Sequence, residues 1–553
     1  HAAVAYAKQH KRLKAYACTS SIGPGATNMI TAAAGATINR LPVLLLPGDI
    51  FSRRNVGPVL QQLEHTNSFD ISVNDCFKPV SVFWDRINRP EQIVTSLQEA
   101  MRVLTNPEKT GAVTICLPQD VQVEAYNYPE NFFKKKVWSI ERNLPSENSL
   151  VEAARLIKKS SKPLIIAGGG IIYSDAENAL STFCNNSGIP ITETQAGKGS
   201  LPWDHNQNLG AIGVTGTNAA NLIAQKADLV ICVGSRLSDF TTASKTLFNN
   251  RDVKFISINV SSFDAHKHSS LSLVGDAKAC LEDLNIRLNN ESFTVSQHYE
   301  KEIVNLKKEW DKEVNRIFHL NNEPKISQGE VIGMVSSFMR EEDTVVGAAG
   351  SLPGDMHKLW RTKNGNQYHM EYGYSCMGYE VAGGIGIRMA KKEGDVFVMV
   401  GDGSYLMMNS EIVTAVQEDQ KLIIILVNNH GFGSINNLSL SLGSEGFGNQ
   451  YRKREIDTDD YTGDKIHVDY IAHAKSMGID AVKVQEKNEF ETALNKARKN
   501  TNSILIEVLV DKNIRVPGYE AWWDVPVAEV SKSEKVKIIR EKYDQQIKKE
   551  RDF

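Results

Sequence analysis

Short runs of Val, Ile and Leu alternate with longer amphipathic stretches along almost the whole chain. The runs PVLLLPG (42–48), GAVTICLP (111–118), PLIIAGGG (163–170), DLVICVGS (228–235), KFISINV (254–260), DTVVGAAG (343–350), DVFVMVGDG (395–403), KLIIILVNN (421–429) and SILIEVLV (503–510) read as strands. Most are continuous rather than alternating, as strands buried on both faces of a parallel sheet are. The pattern predicts α/β architecture, repeated along the chain.

Two polar segments interrupt the succession. YNYPENFFKKKVWSIERNLPSENS (126–149) and the charged, helix-like HYEKEIVNLKKEWDKEVNRIFHLNNEPKIS (298–327) read as connections between three doubly wound units at 1–130, 150–295 and 325–520. A tail at 521–553 ends in a charged helix. Neither connection is rich in Gly and Ser, so both are expected to be packed linkers rather than flexible tethers. The opening HAAVAYAKQHKRLKAYACTS has apolar residues at helical spacing with nothing ahead of it to act as a cap. The expectation is that the natural protein has residues before His1.

Composition narrows the function. A chain of 553 residues is long enough for several domains of ~100–200 residues each. With 63 Lys and Arg against 66 Asp and Glu, its net charge of -3 gives no electrostatic reason to expect nucleic acid or an acidic membrane surface. The seven cysteines are scattered singly, without a CxxC or a zinc-ligand spacing. No long uncharged apolar stretch or signal-peptide pattern is present. A cytoplasmic protein with reduced core thiols and no membrane partner is expected.

VGDGSYLMMNS (400–410) places an acid between two glycines where an apolar run ends. At the carboxyl end of a parallel strand an acid can bind a hard divalent cation, while glycines let backbone N–H groups approach an anion. GDGS alone is also a common turn. The chain from Gly403 to Asn428 reads as one helix, MMNSEIVTAVQED (407–419), followed by a strand that ends in Asn428-Asn429-His430-Gly431. A strand–helix–strand unit of this length returns to the same sheet edge, so Asp402 and Asn429 can meet at one ion.

With these two motifs at this spacing, the sequence resembles the thiamine diphosphate enzymes. The resemblance implies pyrimidine-binding, central Rossmann-like and diphosphate-binding domains, with Mg2+ held by Asp402, Asn429 and the carbonyl of Gly431. Gly401, Gly403 and Ser404 would cradle the cofactor diphosphate, and AAGSLPGD (348–355) would add Gly350, Ser351 and Leu352. GYSCMGYEVAGGIGIRMA (373–390) resembles the segment in which an apolar residue wedges between the cofactor rings; that residue is Met377 here, with the Ser375 carbonyl accepting from the pyrimidine amine. TSSIGPGATNMITAAAGATINRLPVLLLPGD (19–49) is similar to the pyrimidine-binding stretch of acetohydroxyacid synthases and their relatives. This implies a homodimer or homotetramer with active sites between chains. His1-Ala2-Ala3 matches the end of the family motif E-x-x-x-x-H-A-A, which puts the catalytic glutamate upstream of residue 1 and assigns it to no residue of this sequence; a protein that began at His1 is expected to be almost inactive.

GDIFSRRNVGPVLQQLEH (48–65), HMEYGYSCMGYE (369–380), NNHGFGSINNLSLSLGSEGFGNQYR (428–452) and VPGYEAWWDVPVAEVS (516–531) resemble a branch of the family that works in inositol catabolism. This implies hydrolytic opening of a small-molecule polyol diketone, a six-membered cyclic 1,2-diketone with three hydroxyls, to 5-deoxy-glucuronate. Asp355, His369, Glu371 and His430 are candidates to line the substrate pocket, against a purely local role for each. The tryptophan-bearing segment 516–531 is read as a lid over the site or as a tail packed on a neighbour. Gly-rich turns at 168–170, 194–202, 210–218 and 233–240 are read as structural, against a nucleotide site. A carboligase of the acetohydroxyacid synthase kind and a non-catalytic cofactor-binding subunit remain the alternatives.

Overall fold

The computed structural model describes residues 1–552. Sixteen strands among them form three all-parallel sheets. The first holds β1 (Ala17–Ser20), β2 (Val43–Asp49), β3 (Phe83–Arg86) and β4 (Ala112–Pro118) in the order β1-β2-β4-β3. The second holds β5 (Pro163–Ala167), β6 (Ile191–Glu193), β7 (Asn208–Ala211), β8 (Leu229–Val233), β9 (Lys254–Asn259) and β10 (Leu271–Val274), ordered β10-β9-β8-β5-β6-β7. The third holds β11 (Thr344–Gly347), β12 (Tyr368–Met370), β13 (Val396–Gly401), β14 (Ile423–Asn428), β15 (Asp480–Val484) and β16 (Ile504–Leu509), ordered β12-β11-β13-β14-β16-β15. All nine runs read as strands are strands. In β5, β8 and β14 every residue is buried, the reason their sequences do not alternate.

The chain divides into two compact units. The first comprises 1–141 with the segments 373–376 and 382–392; the second comprises 142–372, 377–381 and 393–553. Inside the second unit the two six-stranded sheets share one hydrophobic core, which runs from Leu164 and Val230 through Trp310 and Phe318 to Phe397 and Ile506. The helix Gln297–Phe318 lies in that core and buries Tyr299, Ile303, Trp310, Val314, Ile317 and Phe318. The second connection is thus a packed linker, as expected. The first is not: residues 126–141 run mostly exposed with one short 3-10 turn, Glu130–Phe133, and leave Phe133, Val137 and Trp138 among their exposed side chains.

The Gly-rich turns of the central sheet serve packing. A Cβ on Gly170 would lie 2.5 Å from the Gly234 Cα, so the turns after β5 and β8 touch backbone to backbone. Segment 516–531 also packs on the central sheet's side of this unit. Trp523 Nε1 donates to Asp239 Oδ2 at 2.9 Å, the Asp524 N–H to Ser244 Oγ at 2.9 Å, and Asn221 Nδ2 to the Tyr519 carbonyl at 2.6 Å. Among the described residues no helix is long and apolar enough to cross a membrane.

Candidate active site

β13 and β14 are parallel neighbours, with Gly401 opposite Val427, so the chain leaves both strands at the same edge of the sheet. Asp402 is the first residue of a helix, Asp402–Met407, and Asn429 directly follows β14. The single helix read over 407–419 is instead two, Asp402–Met407 and Glu411–Gln417, parted at Met408 with φ -153°. Starting the helix at Asp402 leaves the first-turn N–H groups, which have no intrahelical partner, at the strand end.

Asp402 is 1 % exposed and its Oδ2 accepts from the Gly431 N–H at 2.8 Å. Oδ1 is buried without a partner, and so is Oδ1 of Asn429. Burial pushes the Asp402 carboxyl up to about 6, against the opposing pull of backbone N–H groups from Gly431, Asp402, Gly403 and Asn429. The two asparagines have different tasks. Asn428 Nδ2 is spent on Glu507 Oε1 at 2.7 Å and its Oδ1 accepts from the His430 N–H at 3.0 Å, leaving Asn429 as the one with an unclaimed oxygen.

Both unclaimed oxygens belong to residues lining one open cleft. Gly350, Ser351 and Leu352 form another wall, the latter two opening the helix Ser351–Leu359. Gly401, Gly403, Ser404, Gly431 and Met377 complete the sequence-predicted lining. Gly403 has to be glycine, since a Cβ there would lie 2.9 Å from the Phe432 ring. Ser375 falls in the first unit, with φ +54°.

The four substrate candidates are not among the lining residues. His369 is 2 % exposed and shares a 2.8 Å hydrogen bond with Tyr379 Oη, Glu371 is 4 % exposed, and Asp355 accepts from Gln328 Nε2 at 2.7 Å. The His430 ring lies beside those of His467 and Tyr451, with φ +70° at its backbone. Sequence reasoning missed Gln328, Phe432 and Ile435, which do line the cleft. It also missed Glu380, a buried acid that accepts from Ser404 Oγ at 2.7 Å and from the Gly378 N–H at 3.1 Å. Desolvation pushes that carboxyl up to about 7. Phe432 and Ile435 come with the segment that follows Gly431, whereas Gln328 reaches the cleft from a helix far away in the chain.

An ionisable acid and an amide, each with an unclaimed oxygen, stand at the ends of two adjacent parallel strands, an arrangement whose chemistry suits a hard cation. The thiamine pyrophosphate enzyme N-terminal TPP binding domain matches residues 1–70, its central domain 150–284 and its C-terminal TPP binding domain 348–508. The chain belongs to the thiamine pyrophosphate enzyme family. It is 47% identical to the 3D-(3,5/4)-trihydroxycyclohexane-1,2-dione hydrolase of Clostridium tetani, over 97% of this chain and 86% of that protein. The proteins of the same name from Bacillus thuringiensis and Clostridium botulinum are 46% and 47% identical, over 98% and 97% of this chain and 87% of each relative.

Proposed function

We propose that the chain hydrolyses the carbon–carbon bond between the two carbonyls of a trihydroxycyclohexane-1,2-dione, holding thiamine diphosphate through Mg2+ in this cleft. The substrate and reaction rest on the relatives' names; the observation that carries the site is the pair of buried, unpartnered oxygens, Asp402 Oδ1 and Asn429 Oδ1. A buried polar atom without a partner costs about 1–3 kcal/mol, and a cation between the two would relieve both. Asp402, Asn429 and the Gly431 carbonyl hold the metal. Gly350, Ser351, Leu352, Gly401, Gly403 and Ser404 receive the diphosphate on backbone N–H groups, and Met377 supports the rings. When bound, the cofactor would supply a nucleophilic carbon and a cationic ring that can accept the electron pair of the breaking carbon–carbon bond.

The rest is done by side chains of this chain. Asp402 is ionised at neutral pH, because even after desolvation its carboxyl titrates near 6. Ser404 Oγ donates to Glu380 and accepts from the Gly378 N–H at 2.8 Å, which holds the turn after Met377 against the helix that starts at Asp402. Leu352, Phe432 and Ile435 give the cleft apolar walls. The same reading makes the protein a cytoplasmic homodimer or homotetramer in which a second copy completes each cleft.

The test is turnover. With the full-length protein, Mg2+ and thiamine diphosphate, the dione should disappear as an acid forms, and Asp402→Ala should abolish it. Carbon dioxide release from pyruvate in place of dione loss would replace this reading with a carboligase.

A further inference from the structure

Gln328 lines the cleft and is not among the residues assigned above to metal or diphosphate. It opens the helix Gln328–Phe338, whose capping box is closed by Ser327 and Glu330, and is 8 % exposed. Its Nε2 donates to Asp355 Oδ2 at 2.7 Å. Asp355 lies on the helix Ser351–Leu359, and its Oδ1 is 3.4 Å from Lys358 Nζ, which donates in turn to the Pro517 carbonyl at 3.1 Å. Burial raises the Asp355 carboxyl, and the Lys358 ammonium and the Gln328 amide oppose that shift.

A carboxylate offers only acceptors, so it dictates which end of a neighbouring amide is which. The NH2 of Gln328 turns to Asp355. Its Oε1, which receives no hydrogen bond from the described residues and is not among the fully buried unpartnered atoms, is the end left to the cleft. We propose that Gln328 is a specificity-determining residue that accepts, through Oε1, a hydrogen bond from a hydroxyl of a polyhydroxylated substrate, with Asp355 as the positioning residue that keeps this acceptor turned to the cleft. This rests on the hydrolase reading and adds to it the group that recognises the hydroxyls. A fixed neutral acceptor favours a hydroxyl over a carbonyl or a C–H at the same place, because either of the latter leaves it unpaired. Segment 516–531 touches this chain of contacts at one point, the Pro517 carbonyl that accepts from Lys358.

The test uses the full chain loaded with Mg2+ and thiamine diphosphate. Gln328→Met, close in shape but without the acceptor, should raise KM for the dione about tenfold, the worth of one hydrogen bond, and leave kcat within about threefold. Cofactor affinity, followed by tryptophan fluorescence, should not change. Asp355→Asn, which frees the amide to turn over, should raise KM by less than Gln328→Met does. The double variant Gln328→Glu/Asp355→Asn keeps an acceptor for the cleft, a donor behind it and the same total charge, so it should recover KM to within about threefold of wild type. An unchanged KM in Gln328→Met, or a loss that follows cofactor affinity, overturns the inference. Should the wild type not turn over the dione, the hydrolase reading fails, and calorimetric binding of the dione decides this inference separately. About tenfold weaker binding by Gln328→Met upholds it; equal binding, or none by the wild type, overturns it.

Discussion

Asp402 meets two opposed demands, burial that favours its neutral form and a metal site that needs its charge. With the carboxyl near 6, binding of Mg2+ and thiamine diphosphate to the apoprotein should weaken about tenfold per pH unit below that value, since the proton competes with the ion. Asp402→Ala should lower the affinity by roughly two orders of magnitude or more at pH 7.5, measured by fluorescence titration. Glu380 poses the same problem without a metal. Its carboxyl, lifted from 4.5 to about 7, binds its proton more tightly folded than unfolded. Apoprotein stability should therefore fall as pH rises from about 4.5 to about 7 and stay lower above. Glu380→Gln removes that dependence, so relative to wild type it should gain about 3 kcal/mol between pH 4 and pH 8 in urea melts. An unchanged difference across that range would show that Glu380 does not titrate there. Motif residues such as Asp402 and Asn429 were legible because their chemistry depends on chain position alone. Glu380 and Gln328 were not, because what makes them functional is the neighbour that other helices bring up.

At the scale of elements, the runs read correctly as strands are those with enough apolar sequence to declare burial on both faces. The strands outside those nine runs are β1, β3, β6, β7, β10, β12 and β15; all are sheet edges except β6, which pairs with the edge strand β7. In β15 the burial does not alternate and only Val484 is buried. An edge strand needs less apolar sequence because one side meets solvent or loops. The broken helix after Asp402 has a similar cause. Asn409 and Ser410 favour ends over helix interiors, and the chain uses them to re-aim after the cleft-facing turn. The contact between the turns after β5 and β8 is a constraint at this scale. Gly234, at φ +62° with a Cβ 2.4 Å from the Gly170 Cα, should tolerate no side chain. Gly234→Ala should cost roughly 3 kcal/mol or more, read as a lower melting temperature by circular dichroism.

For the whole molecule, three sheets do not mean three independent bodies. The central and C-terminal sheets share a core through the helix Gln297–Phe318, which packs on both the helix Asn218–Lys226 and the helix Gln328–Phe338. Phe318, 5 % exposed and in that core, is predicted to couple them. Phe318→Ala should destabilise by about 3–5 kcal/mol. Loss of near-ultraviolet circular dichroism and release of bound thiamine diphosphate should shift together, as one transition. Separate transitions would mean that the two sheets unfold independently.

The order of strands and connections, the parallel sheets, the acid between glycines and its partner asparagine were all determined by the sequence, through burial periodicity and a spacing that local chain geometry converts into proximity. What only the tertiary structure decided is which polar side chains enter the cleft. His369, Glu371 and Asp355 have the right chemistry, yet the first two lie buried away from the cleft lining and the third is spent on Gln328 and Lys358. Gln328 stands 74 positions before Asp402 in the chain and still lines its cleft. The physical reason is that strand–turn–strand contacts are set within a few tens of residues, whereas the approach of one helix N-terminus to another is set by the packing of a core assembled from the whole unit.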